Sequence, residues 1–143
     1  MKIHQISLFA ENRPGRLSAP ARLLAAAGID LRALYLADTL DFGILRIIVA
    51  DWEKAARVLE EDGFVVKVNE VVAVEVSDRP GGLADVLEAL DGSGLNIEYM
   101  YAFPYLNQGK AVLIFRFDDP DAASARLQAA RFNVLADTEL LTK

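Results

Sequence analysis

The sequence contains itself twice, and no other feature constrains the fold as much. Asn12-Arg13-Pro14-Gly15-Arg16-Leu17 returns 66 residues later as Asp78-Arg79-Pro80-Gly81-Gly82-Leu83. The same offset aligns Gly28-Ile29-Asp30-Leu31 with Gly94-Leu95-Asn96-Ile97, Tyr35 with Tyr101, and Gly43 with Gly109. Of the 38 positions from Ile6 to Gly43, 9 match their counterparts. Several of these are Gly or Pro, which fix backbone geometry rather than hydrophobicity. Beyond Gly109 the offset becomes 68, pairing Leu59 with Leu127 and Phe64 with Phe132. Matched order and spacing of this kind mark a duplication. It divides 143 residues into two units, 1–70 and 71–143.

Each unit reads the same way. Ile3–Ala10 and Val71–Ser77 are β-branched and strand-like. Gly15–Ala27 and Gly81–Asp91 are Ala/Leu-rich with helical spacing, and Gly28 and Gly94 stand where a helix C-cap takes a left-handed residue. Second strands follow over Asp30–Ala37 and Asn96–Phe103, then third strands over Gly43–Ala50 and Lys110–Phe117. Trp52–Asp62 and Pro120–Ala130 read as helices, the latter capped by Asp119. Phe64–Val68 and Phe132–Leu135 are fourth strands. The order β-α-β-β-α-β, twice, predicts an α+β chain of two ferredoxin-like repeats with antiparallel sheets and helices on one face.

Units of about 70 residues bury little surface alone. The segment from Phe64 to Val74 joins them without Gly, Pro or Ser, so a tight pseudo-symmetric pair is expected rather than beads on a string. Exchange of strands between repeats through this segment stays open. Pro20 falls inside the first predicted helix, which must therefore start late or kink.

Composition narrows the function. A net charge of −6 is a poor footprint for nucleic acid or an anionic membrane. The chain has no cysteine and one histidine, His4, which excludes thiol chemistry and multi-histidine metal sites within one chain. His4 itself reads as structural or exposed. No apolar run approaches the roughly 20 residues of a membrane span, and the N-terminus runs straight into a strand, so a cytoplasmic protein is expected. Nucleophile elbows, phosphate loops and dinucleotide fingerprints are absent. Neither a metal nor a cofactor is expected, and no enzyme.

The repeated Asn/Asp-Arg-Pro-Gly loop is where recognition chemistry can sit. Pro14 and Pro80 fix φ, and Gly15 and Gly81 let the backbone approach a ligand closely. The following helix offers free N–H groups to a carboxylate. Asn12 and Asp78 can accept hydrogen bonds from an ammonium group. One loop thereby suits both ends of an α-amino acid. The plainer reading is a turn opening a helix, with Asn12 or Asp78 as the cap. Arg13 and Arg79 read first as solvated or ion-paired, and Tyr35, Tyr99 and Tyr101 as half-buried strand residues. Leu17, Leu36, Leu83 and Met100 hint at an apolar ligand, although such residues are mostly core.

The duplicated pattern resembles the ACT domain. Arg-Pro-Gly-x-Leu opens helix 1, and Ala27-Gly28-Ile29-Asp30-Leu31 or Ser93-Gly94-Leu95-Asn96-Ile97 closes it. The stretches Asp41–Arg46 and Asn96–Phe103 look like small stand-alone tandem ACT proteins of bacteria. The resemblance implies a regulatory module that binds a free amino acid between side-by-side ACT repeats. One implied site joins Asn12, Pro14, Gly15 and Leu17 to the strand carrying Tyr99, Met100 and Tyr101. The other joins Asp78, Pro80, Gly81 and Leu83 to the strand carrying Leu36 and Asp38. With no enzyme attached, a sensor acting on a separate enzyme, or an amino-acid carrier, is implied, and a homodimer is expected. Arg16 against Gly82 and Asn12 against Asp78 make the two loops unequal. The other readings are a pure protein–protein interaction module and a small enzyme on the same scaffold, such as an acylphosphatase.

Overall fold

The computed structural model describes residues 2–11, 13–38, 42–104 and 109–136. In chain order these form β1 (Ile3–Glu11), α1 (Ser18–Ala26), β2 (Leu31–Asp38), β3 (Phe42–Val49), α2 (Trp52–Glu61) and β4 (Val65–Ser77). Then come α3 (Gly82–Leu90), β5 (Ile97–Pro104), β6 (Lys110–Phe117), α4 (Pro120–Ala129) and β7 (Asn133–Leu135). The chain divides into two compact units. One is His4–Asn69, and the other takes in Ile3 and the chain from Glu70 onward. β4 is a single strand of 13 residues. Its residues 65–69 belong to the first unit and 70–77 to the second.

The first unit orders its strands β2-β3-β1-β4, and the second β7-β4-β6-β5. In the second unit the last strand lies beside the first, with Val134 opposite Val74. Both are βαββαβ sheets with the same register. Glu11 pairs with Phe42 in one, and Ser77 with Lys110 in the other.

Two helices cover one face of each sheet. In the first unit Leu24 of α1 and Ala55, Ala56 and Leu59 of α2 bury against Ile6, Ile47 and Val49. In the second Val86 and Leu90 of α3 and Ala123 and Leu127 of α4 bury against Val72, Val74, Phe115 and Phe117. Apolar burial of this kind contributes about 25 cal/mol per Å² removed from water. His4 stacks on Trp52 with centroids 4.5 Å apart, so it is a packing residue. Lys2 binds Glu70 at 2.7 Å and Asp121 at 3.1 Å. Those hydrogen bonds, Glu70 first, raise its ammonium above the ordinary lysine range.

α1 starts late, as Pro20 requires. Its first residue is Ser18, whereas α3 starts at Gly82, the counterpart of Arg16. A helix opening at Arg16 would ask Pro20 for the N–H it lacks. Opening at Ser18 places Pro20 in the first turn, where no donor is needed, and buries it. Gly28 closes α1 as expected, at φ +75. Ile29 N–H donates to the Leu24 carbonyl at 2.9 Å, and Gly28 N–H to that of Ala25 at 3.0 Å. Gly94 does not close α3. That helix stops at Leu90, with Asp91 extended. The Ser93 hydroxyl donates to the Leu90 carbonyl at 2.6 Å and accepts from Leu95 N–H at 3.1 Å. Gly92, at φ +77 directly after Asp91, takes the left-handed place, and Gly94 (φ +76) belongs to the turn that follows.

Candidate functional site

The two β1–α1 and β4–α3 loops share a backbone. Gly15 lies at φ +83 and Gly81 at φ +92, the left-handed region where a side chain is strained. Pro14, Pro80 and both glycines are exposed. Arg13 pairs with Glu11, and Arg79 with Asp85 at 2.8 Å, so both arginines are ion-paired to neighbours.

The helices that follow differ from their partners in one respect. Asp51 caps α2 by accepting from Lys54 N–H at 3.2 Å, and Asp119 caps α4 by accepting from Ala122 N–H at 3.1 Å. Neither α1 nor α3 has a side-chain cap. Capping by Asp78 is thus not what the structure has. Asp78 is exposed, and its backbone N–H donates to the Gly109 carbonyl at 2.8 Å. Asn12 lies outside the described residues, as does the side chain of Asp38.

Leu17 and Leu83, at matched positions beside these helix starts, are 42% and 41% exposed. Leu36 is exposed as well, so none of the three is a core residue. Their apolar surface is open because each sits at an element's solvent side, which helical or strand spacing alone does not reveal. Met100 is half-buried against the second unit's core, Tyr99 and Tyr35 are half-buried, and Tyr101 is buried rather than half-buried. Pro14, Gly15 and Leu17 come together in one loop of the first unit, and Pro80, Gly81 and Leu83 in one loop of the second. Leu36 lies on β2, and Tyr99, Met100 and Tyr101 lie on β5.

Sequence reading missed a cavity at one corner of each sheet, where β1, the start of α1, β3 and the turn before β4 meet. In the first unit it measures about 480 Å³ and is lined by Phe9, Arg16, Phe42, Asp62, Phe64 and Val65, among others. The matching corner of the second unit measures about 250 Å³, with Glu75, Arg79, Asp85, Lys110, Arg131 and Asn133 in its lining. Among the described residues no group of three or more His, Asp or Glu is placed to hold a metal ion, and no helix is long and apolar enough to cross a membrane.

The family model for the ACT domain pair matches residues 1–143, and the chain belongs to that family. It is similar to the crystal structure of protein BT0572 from Bacteroides thetaiotaomicron, with 38% identity and a TM-score of 0.93 over 100% of this chain and 98% of that one. It shares the fold of the regulatory subunit of aspartate kinase from Thermus thermophilus in its ligand-free form, at 20% identity and a TM-score of 0.65 over 90% of each chain. The corresponding subunit from Thermus flavus is similar at 19% identity, with a TM-score of 0.61 over 92% of this chain and 94% of that one. No curated protein matches the chain.

Proposed function

We propose that this ACT domain pair is a regulatory, non-catalytic protein that binds a free amino acid at its repeated Pro-Gly loops. The observation that carries the reading is the contrast in caps. α2 and α4 each have one first-turn N–H taken by a cap, that of Lys54 by Asp51 and that of Ala122 by Asp119, whereas α1 and α3, behind the loops, have no side-chain cap. First-turn donors that no side chain of the protein takes, at the positive end of a helix, suit a carboxylate. Asn12 and Asp78 are the acceptors for the ammonium, and exposed Leu17 and Leu83 offer apolar surface beside it. Leu36, Asp38, Tyr99, Met100 and Tyr101 enter as the strand residues that would face the loop of a neighbouring ACT repeat. The protein would act in the cytoplasm as a homodimer, on a separate enzyme or as an amino-acid carrier. A regulatory subunit of aspartate kinase has the same fold, which agrees with this reading.

A thermal-shift screen against the twenty amino acids tests it, since a ligand of the native state raises the melting temperature. The expected outcome is a dose-dependent rise with at least one of them, reduced in Asp78→Ala and abolished in Gly81→Val. A flat response at millimolar ligand would end the proposal.

A further inference from the structure

We propose that the corner cavity of the first unit is a second kind of site, complete within one repeat, for an α-amino acid with a large apolar side chain. The proposal rests on the reading of the chain as an amino-acid binder and places a ligand where that reading does not. A volume of about 480 Å³ lies in the usual range for small-ligand pockets, roughly 300–1,000 Å³. Its walls are apolar side chains that the fold leaves open to water. Phe9 is 39% exposed, Phe42 53% and Val65 65%. All three line the corner, and their exposed apolar surface is what a ligand's side chain covers favourably.

Two charges face the same space. The Arg16 guanidinium and the Asp62 carboxylate both line the cavity, and among the described residues neither makes an ion pair, with the other or with any third group. Glu11, the remaining carboxylate, is held by Arg13. A wholly apolar ligand would strip water from Arg16 and Asp62 and return nothing. A simple anion would satisfy Arg16 and repel Asp62. A zwitterion satisfies both, its carboxylate on the planar fork of Arg16 and its ammonium on Asp62.

The second unit serves as the internal contrast. There Glu75, Lys110 and Asn133 stand for Phe9, Phe42 and Val65, Gly82 stands for Arg16, and Ala130 for Asp62. The cavity has about half the volume, and an Arg79–Asp85 ion pair occupies its edge. Among the described residues, the first unit alone therefore builds such a site.

Calorimetry and amide shift mapping on the full chain test this, with L-phenylalanine, 3-phenylpropionate, phenethylamine and L-alanine as probes. The expected result is saturable binding of L-phenylalanine that shifts the amides of Phe9, Arg16, Phe42 and Val65. Each of the other three probes binds at least tenfold more weakly. Phe42→Ala and Arg16→Gln, with circular dichroism as the check that both fold, weaken phenylalanine at least tenfold, and Lys110→Ala in the second unit leaves it unchanged. If both first-unit variants bind as the unmodified chain does while Asp78→Ala loses binding, the ligand sits at the loops. The corner site is then overturned and the proposed function stands. Phenylpropionate binding as tightly as phenylalanine also overturns the corner site, because Asp62 then has no role. Failure of every amino acid to bind overturns both.

Discussion

The two repeats place the same corner at the end of the same strands and build opposite surfaces there. In the first unit Phe9, Phe42 and Val65 join Phe64 around a roomy cavity, and in the second Glu75, Lys110 and Asn133 join Phe132 around a smaller one. The backbone that makes the corner is shared down to the register, Glu11 on Phe42 and Ser77 on Lys110. Duplication thus preserved the scaffold and freed the side chains, which is how one fold hosts different sites.

The hardest test of that equivalence is to exchange residues across it. A Cβ on Gly82 would stand 2.6 Å from the Ser77 carbonyl oxygen, inside any tolerable contact. Gly82→Arg, which installs the first unit's residue, is expected to lower stability by about 1–3 kcal/mol, read as a fall in the urea midpoint. The reverse change, Arg16→Gly, should stay within about 0.5 kcal/mol, because Arg16 is exposed. Equal effects would mean the two loops are closer in structure than this register allows.

The helix starts offer the next comparison. Asp51→Ala and Asp119→Ala each remove a cap and should cost about 1 kcal/mol by chemical denaturation. Asp78→Ala, which removes no cap, should cost less than about 0.5 kcal/mol. A loss at Asp78 as large as at Asp51 would return it to the role of a cap and remove the contrast on which amino-acid binding was argued.

The smallest effect concerns the turn before the last strand of each unit. Gly63 holds it at φ +89 in the first, and Arg131 holds the same place at φ +69 in the second. A left-handed non-glycine residue costs about 1–2 kcal/mol, and glycine's extra chain entropy returns roughly 0.5–1 of it. Arg131→Gly should therefore raise the urea midpoint by the equivalent of about 0.5 kcal/mol. A fall instead would show that the Arg131 side chain contributes more than its backbone strain removes.

Much of this architecture was legible in the residues. Local chemistry set the order of elements, and Pro20 alone forced α1 to open at Ser18. The stretch from Phe64 to Ser77 read as two strands, Phe64–Val68 and Val71–Ser77, and with no Gly, Pro or Ser up to Val74 to break them they run on as one, Val65–Ser77. Gly94 misled because it matches Gly28 in sequence, yet α3 ends earlier, where Gly92 is left-handed and Ser93 bonds the Leu90 carbonyl through its hydroxyl and its backbone N–H. Leu17, Leu36 and Leu83 were open to two readings, since apolar residues at regular spacing suit a core or an apolar ligand until the neighbours that would cover them are known. The corner cavity was beyond reach, because Phe9, Arg16, Phe42 and Asp62 come from four stretches of chain that meet only once the strands have paired.

The 13-residue β4 has a practical consequence for anyone wishing to study one repeat alone. Cutting the gene at the repeat boundary would sever a strand in mid-course. Either half would then present a frayed edge of unpaired N–H and C=O groups, the kind of edge that recruits other chains. A single-repeat fragment that stays monodisperse would have to carry the whole of Val65–Ser77, and a protease offered the intact protein should find no cleavage point there.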